Sequence, residues 1–339
     1  MRPIFQPALV NGSTGDPALF VDCLFERRAL LFDLGDIRAL APRKIMRISH
    51  VFVSHAHMDH FIGFDWLLRI LLGREKGLQL FGPPGFLAQV EHKLRSYTWN
   101  LVQNYAADFT LRVVEVNEDG TAQCARFHCR SAFRREDEAG MVCEGNVLLR
   151  EPALQVRYTA LDHGGIPCLA YALEEQAHVN VWKNRIQELG LPVGAWLREL
   201  KQAVLRNDAE PSPIRVVWRE DELTRERIVP LDELKSALRI VPGQKIVYVT
   251  DAAWSEANAA RIVDLARDAD LLFIESAFLE RDAEHGQRKF HLNTRQAGEI
   301  ARAAGVGSVI PLHFSPRYAS EGTAVLRAEV AAAFGGKVL

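Results

Sequence analysis

The sequence predicts an α/β fold, on three observations: strand-type and helix-type patterns alternate along most of the chain, residues of catalytic type recur where strands stop, and four metal-ligand side chains crowd into one six-residue stretch. Residues 18–24 and 29–33 are apolar runs suited to a pleated surface, separated by Glu26-Arg27-Arg28, and read as a hairpin. Residues 48–54 form the next strand, the cluster His55–His60 a polar loop, and the apolar stretch 61–72 a buried helix. Residues 77–81 make a short strand that ends in the turn Gly82-Pro83-Pro84-Gly85, and residues 86–102 carry a helical pattern.

Further along, residues 153–160 are a strand leading to Leu161-Asp162-His163, residues 169–173 another, and residues 245–250 a strand that stops at Asp251. A helix over 257–267 and a strand over 271–274 follow. The helix 293–304 is bounded by an Asn-x-x-Gln capping box and by Gly305, and the strand 309–312 delivers His313. In open α/β sheets ligands gather beyond the carboxyl ends of strands, so these positions can converge although they span most of the chain. The stretch 174–238 differs: it is polar and charged, is broken by Pro192, Pro211, Pro213 and Pro230, and carries Trp182, Trp196 and Trp218. It reads as an insertion into a single domain covering 1–339.

Composition narrows the class. At 339 residues, 48% hydrophobic and 25% charged, the chain has ample material for a core. The 41 Lys and Arg against 43 Asp and Glu leave a formal charge of -2, so no global basic field draws it to nucleic acid and any polyanion site must be local. The start of the chain lacks an apolar core of signal-peptide length and no segment reaches the roughly 18 apolar residues of a membrane span, which predicts a cytoplasmic protein without membrane attachment. Five cysteines in no paired spacing predict free thiols. Cys124, His128, Cys129 and Cys143 are too irregularly spaced for a structural zinc cluster and read as loop and strand residues.

The chemistry sits in His55-Ala56-His57-Met58-Asp59-His60. At a strand end His55 and His57 share a face, while Asp59 and His60 in the following turn are offset enough to reach a second ion. The remaining histidines His50, His92, His128, His178 and His285 read as ordinary surface or core residues. This His-x-His-x-Asp-His pattern resembles the hallmark of the metallo-β-lactamase superfamily. Four further segments resemble its ribonuclease Z branch: Leu161-Asp162-His163 with Ile166-Pro167, Val249-Thr250-Asp251, His291 with the run 296–300, and the run from Leu312 to Tyr318.

The resemblance implies a four-layer αββα sandwich with an inserted arm, and a metal-dependent hydrolase. It implies that His55, His57 and His163 hold one zinc, that Asp59, His60 and His313 hold the other, and that Asp251 bridges them. Manganese and iron suit the same donor types. Two zinc ions about 3.5–4 Å apart would lower the pKa of a bridging water and clamp the oxygens of a phosphate. Further implied roles are His291 as proton donor to the departing ribose oxygen, Glu275 as the carboxylate that orients it, and Asp59 as a ligand whose second oxygen steers the hydroxide proton. Ser315 and Arg317, beside His313, are candidates for phosphate contact, with a structural ion pair as the equal alternative for Arg317.

The leading expectation is thus a binuclear zinc phosphodiesterase that trims the 3′ end of precursor transfer RNA, with a homodimer implied by the resemblance alone. Two readings stand beside it: a hydrolase of a small phosphodiester, thioester, lactone or sulfate ester, and a catalytically silent nucleic-acid-binding or scaffold protein. A true β-lactamase is disfavoured by Asp251, since that class places cysteine or histidine there. The chain departs from the branch at Asn11–Pro17, at Asp33-Leu34-Gly35-Asp36, where the usual Cys-Gly-Glu-Gly-Thr turn is replaced, and in the segment 189–201, whose diagnostic proline is Ala195. The bases of the insertion, Lys183, Arg185, Arg198, Lys201, Arg206, Arg215 and Arg219, are mixed with acids and fit a solvated surface nearly as well as a phosphate-binding one.

Overall fold

The computed structural model describes residues 4–24, 26–175, 178–206, 213–220 and 223–339. The break predicted at Pro211 lies outside the described residues. They fall into two compact units, one formed by residues 1–148, 156–172 and 245–339 and the other by 149–155 and 173–244.

In the first unit, eight strands lie side by side in chain order, from Phe5–Leu9 at one edge to Arg135–Val142 at the other. The four central strands, Arg28–Phe32, Ile48–Phe52, Lys76–Gly82 and Phe109–Val116, are parallel, and antiparallel partners flank them. A second sheet contains the parallel run Lys245–Val249, Leu271–Glu275, Ser308–Leu312 and Lys337–Val338, continued by Ile166–Glu175 and Leu154–His163.

The central strands of the first sheet show two faces to two different cores, as strands buried on both sides must. Leu31, Val51, Val53, Leu80 and Val113 pack outward against Phe64, Leu67, Leu68 and Leu71 of the helix Phe64–Leu71 and against Phe86, Leu87, Val90 and Leu94 of Phe86–Arg95. The opposite face carries Phe32, Phe52 and Phe81, stacked at 5.1 and 4.9 Å, and these meet Tyr171 and Tyr248 of the second sheet. Behind that sheet, the helices Glu256–Ala266, Thr294–Ala304 and Thr323–Phe334 bury Ile262, Leu265, Ile300 and Val330. The result is the helix–sheet–sheet–helix order of the expected four-layer sandwich.

Most predicted elements appear within a few residues of their expected bounds, including the capping box of Asn293 with Gln296 and the left-handed cap at Gly305. Two expectations change. The helix predicted over 86–102 stops at Arg95, where Ser-Tyr-Thr-Trp-Asn are weak helix formers and the Trp99 indole donates to the terminal carbonyl of Leu94 at 2.8 Å. Residues 109–142, assigned no element from sequence, form three strands of eight residues each. Their charged positions pair across the sheet, with Arg112 and Arg126 both on Glu138 at 2.7 and 2.6 Å.

The second unit has its own small core of Ile186, Leu191, Trp196, Leu200, Ile214, Val216, Val229, Leu231 and Leu234. It contains the helix Leu197–Arg206, the hairpin Pro213–Glu220 with Leu223–Pro230, and the paired strands His178–Val181 and Leu238–Val241. Two of its bases are held in ion pairs, Arg185 with Glu188 and Arg215 with Glu226. Trp196 is buried and donates to the Pro192 carbonyl, whereas Trp182 is half exposed.

The loop that carries the histidine cluster is pinned by close backbone contact. Leu34 donates to His60 O and Gly63 donates to Leu34 O, both at 2.9 Å. A Cβ on Gly63 would fall 2.1 Å from Gly35 O, and one on Gly35 would fall 2.6 Å from Asp59 O. Gly63→Ala is therefore expected to destabilise the protein by about 1–3 kcal/mol, read as a lower melting temperature by calorimetry. An unchanged melting temperature would show that this contact is not tight.

Candidate metal centre

The strand Ile48–Phe52 hands the chain to residues 53–57, and Asp59 and His60 follow in a one-turn helix, Met58–Phe61, rather than in the expected turn. His55 and His57 stand with ring centroids 4.4 Å apart, His55 and His60 4.3 Å apart. His163 closes Leu154–His163, Asp251 follows Lys245–Val249, and His313 follows Ser308–Leu312. Three strand ends of the second sheet thus meet one loop of the first.

At the centre lies the buried carboxylate of Asp251. Its Oδ2 is 3.6 Å from His55 Nε2, 3.4 Å from His60 Nε2 and 3.7 Å from His163 Nε2, and its Oδ1 is 2.9 Å from His313 Nδ1. Asp59 Oδ2 is 3.5 Å from His60 Nε2 and 3.4 Å from His313 Nε2. Ligand atoms of His55, His57, His163 and Asp251 lie within 4.8 Å of one another, as do those of Asp59, His60 and His313. The buried His55 Nε2 and His60 Nε2 have no hydrogen-bond partner, although such groups normally find one, and His313 Nδ1 faces Asp251 Oδ1. Atoms of this kind, converging with lone pairs inward, fit one or more metal ions.

The other ring nitrogens are held from outside, which sets tautomer and orientation. His60 Nδ1 lies 2.9 Å from Asp33 Oδ2, and His163 Nδ1 donates to Phe290 O at 2.9 Å. His55 Nδ1 is 3.1 Å from the Ser54 hydroxyl. Asp33 is fully buried and also accepts from Ser54 N at 2.6 Å, Ser54 Oγ at 2.9 Å and Tyr248 Oη at 3.0 Å. Its role was missed from sequence, where its segment read only as a departure beside the substrate. The available signal was an acid at the end of a buried apolar strand.

Electrostatics separate the histidines. Burial and the neighbouring His60 push the His55 pKa down to about 3, and burial with His163 lowers that of His57. Burial also opposes charge on His60, but Asp251 and Asp33 outweigh it and raise its pKa to about 10. Asp251 is held well below the usual carboxylate range despite burial, because His313 and His60 face it. Asp59 likewise overcomes burial and drops to about 2 through the His313 hydrogen bond and His60.

His291 stands beside this cluster, its Nδ1 2.8 Å from Glu275 Oε2 and 3.8 Å from Asp251 Oδ1. Glu275 is fully buried, and its Oε1 accepts from Ala252 N at 2.7 Å and Leu292 N at 3.1 Å, so its position is set by backbone. Burial lowers the His291 pKa, and Glu275 more than offsets this, leaving it raised.

A cavity of about 660 Å³ opens over the cluster, walled by Thr14–Pro17, His57, Asp59, Ile166, Phe278, Arg288–His291 and Phe314–Pro316 among others. Ser315 lies in this wall. Arg317 turns instead to Asp282, 3.2 Å away, with its guanidinium 5.7 Å from the Phe278 ring, the ion-pair alternative stated above. Arg288 and Lys289, not singled out from sequence, are the cations of the wall; their signal was adjacency to His291. All five cysteines are buried and free, and the candidate metal groups among the described residues do not include Cys124, His128, Cys129 or Cys143. No helix among the described residues is long and apolar enough to cross a membrane.

The chain is similar to known proteins in sequence and in fold. A family model described as beta-lactamase superfamily domain matches residues 18–179 and 213–314. Ribonuclease Z of Deinococcus radiodurans is 32% identical over 320 residues, covering 93% of this chain and 91% of that protein. Ribonuclease Z of Enterococcus faecalis is 28% identical, covering 92% and 84%. Among solved structures, human tRNase Z, short form, superposes with a TM-score of 0.52 at 16% identity, covering 93% of this chain and 92% of that one, and a metallo-beta-lactamase fold protein of Bacillus subtilis with 0.53 at 15%, covering 98% and 95%. The structural matches carry the fold, and the sequence matches carry the branch. The chain belongs to the beta-lactamase superfamily, in its ribonuclease Z-like branch, and is a metal-dependent hydrolase.

Proposed function

We propose that the protein is a binuclear zinc phosphodiesterase that cleaves RNA, with the 3′ end of precursor transfer RNA as its substrate. The observation that carries this reading is the single buried carboxylate of Asp251 set among His55, His60, His163 and His313, with His291 and Glu275 alongside. His55, His57 and His163 would hold one zinc, Asp59, His60 and His313 the other, with Asp251 between them. When bound, the zinc pair supplies an activated water and neutralises the phosphate charge. The neutral imidazole of His55 and the anionic Asp251 are already in the protonation states that metal binding requires.

The protein's own groups then divide the remaining work. Water adds to phosphorus as the bond from phosphorus to the ribose oxygen breaks, and His291 donates a proton to the departing oxygen. Glu275 positions His291 and raises its pKa, which favours the protonated form that a donor needs. Asp59, with one oxygen toward His60 and His313, would use its other oxygen to steer the proton of the attacking water. Ser315 in the cavity wall is a candidate phosphate contact. We read residues 174–238 as the substrate-gripping arm and the enzyme as a cytoplasmic homodimer, on the resemblance to ribonuclease Z proteins.

The first test is cleavage of a precursor transfer RNA and of bis-p-nitrophenyl phosphate by zinc-loaded protein. Cleavage at the 3′ side of the acceptor stem is expected; hydrolysis of the small diester alone would favour the small-ester reading. His57→Ala should lose zinc and activity together, and undiminished activity in it would sink the mechanism. In His291→Ala the rate should fall about 10²–10⁴-fold with zinc content retained.

A proton donor must carry its proton, so the rate should decline as pH rises through the His291 pKa. Removing the charge that raises this pKa, in Glu275→Gln, should shift the alkaline limb of the pH–rate profile to lower pH. An unmoved limb would exclude His291 as the donor. Finally, His60 and His313, raised by Asp251, hold protons in the metal-free protein. Zinc uptake at pH 7 should therefore release protons and weaken as pH falls, measured as a calorimetric enthalpy that changes with the buffer's ionisation heat. A buffer-independent enthalpy would contradict these protonation states.

A further inference from the structure

Phe290 is an anomaly of the cavity wall. It is a large apolar residue, 45% exposed, directly before His291. Its backbone is left-handed, with φ of 62°, a conformation that costs a bulky residue energy unless the surroundings hold it. The surroundings do so in two ways. Its carbonyl accepts the hydrogen bond from His163 Nδ1. Its ring lies against Gly164, where an added Cβ would come within 2.3 Å of the ring, and Gly164 is itself left-handed at φ 65°. The ring is thus fixed 6.4 Å from that of His163, edge to face, with its remaining surface toward the cavity.

Two cations stand beside the ring among acids of the same region: Arg288 lies 4.0 Å from Glu284, and Asp16 and Asp59 line the same cavity. Arg288 and Lys289 precede Phe290 in the same wall. Desolvation, then Arg317, Arg288 and Lys289, push the His285 pKa down, so these cations lie near His285, although Arg317 is held by Asp282 and only Arg288 and Lys289 line the cavity. A rigid, exposed aromatic face beside basic side chains is the chemistry that holds single-stranded nucleic acid, stacking for the base and charge for the backbone. A cavity of about 660 Å³ is within the range that encloses a small ligand such as one nucleotide.

We propose that Phe290 is a stacking platform for the base of the nucleotide whose ribose oxygen departs, on the 5′ side of the cut, with Arg288 and Lys289 contacting the RNA backbone beside it. The side of the cut follows from adjacency: His291, the donor to that oxygen, is the next residue, and its ring is 5.1 Å from that of His163, against which Phe290 is set. The assignment rests on the nuclease reading above and adds to it a determinant of where the RNA sits.

The test is a double-mutant cycle on the zinc-loaded full chain, pairing Phe290→Ala with an abasic nucleotide at the 5′ side of the cut. Each change alone should lower kcat/KM by roughly 5- to 150-fold, the span of one base–aromatic stack, and the two together should cost no more than one. Phe290→Trp should restore discrimination between intact and abasic RNA. Losses that multiply, or an abasic effect confined to the 3′ side, would overturn the assignment. If the wild type cleaves the small diester but no RNA, the nuclease reading fails. The platform is then judged by binding of a short oligoribonucleotide carrying 2-aminopurine: fluorescence quenching that disappears in Phe290→Ala supports it, and no quenching in the wild type refutes it.

Discussion

Everything around the candidate metal centre depends on one buried charge. Asp251 is a buried carboxylate faced by five imidazoles, and its ionised form survives burial because His313 and His60 stand against it. Burial alone would push an isolated carboxylate at that depth toward its neutral form, and an isolated cluster of buried histidines would resist taking up protons. Carboxylate and imidazoles are each tolerable only in the presence of the other, so the site is one electrostatic unit assembled from five separated segments of chain.

A second buried acid serves the first. Asp33 takes hydrogen bonds from Ser54 and Tyr248 and fixes the outer nitrogen of His60, so the inner nitrogen points to Asp251. Glu275 does the same for His291 from the other side, anchored by two backbone amides. These carboxylates orient imidazoles more than they add stability, since burying charge costs about as much as pairing returns. The two-sheet architecture makes this possible: Asp33 and Tyr248 come from opposite sheets and meet across the Phe32, Phe52 and Phe81 layer.

Left-handed backbone, found at several points of the chain, also recurs around the site. Asp33, Phe290 and His313 all hold left-handed backbone. Each sits just after or between regular elements, where the chain must turn sharply to aim a side chain or a carbonyl at the centre. The cost is sustained by dense surroundings such as the Gly35–Gly63 backbone contact, which leaves no room for a β-carbon.

The sequence by itself determined the class of fold and the kind of chemistry, because both depend on local pattern. Alternating strand and helix periodicity, the Asn293 capping box and the concentration of ligand-type side chains in His55–His60 are all written within a few residues. It did not reveal the strands of 109–142, whose charged faces are neutralised only by cross-strand partners such as Glu138, nor the early end of the helix at Arg95. It read the 174–238 segment as polar, although Trp196, Leu200, Ile214 and Val229 build a core there once the hairpin closes. Only the tertiary structure decided that Asp33 supports His60, that Arg317 is committed to Asp282 while Arg288 and Lys289 line the cavity, and that Phe290 stands exposed beside His291. The reason is physical: these roles arise from distances between residues far apart in the chain, and no local propensity encodes which side chain will face which.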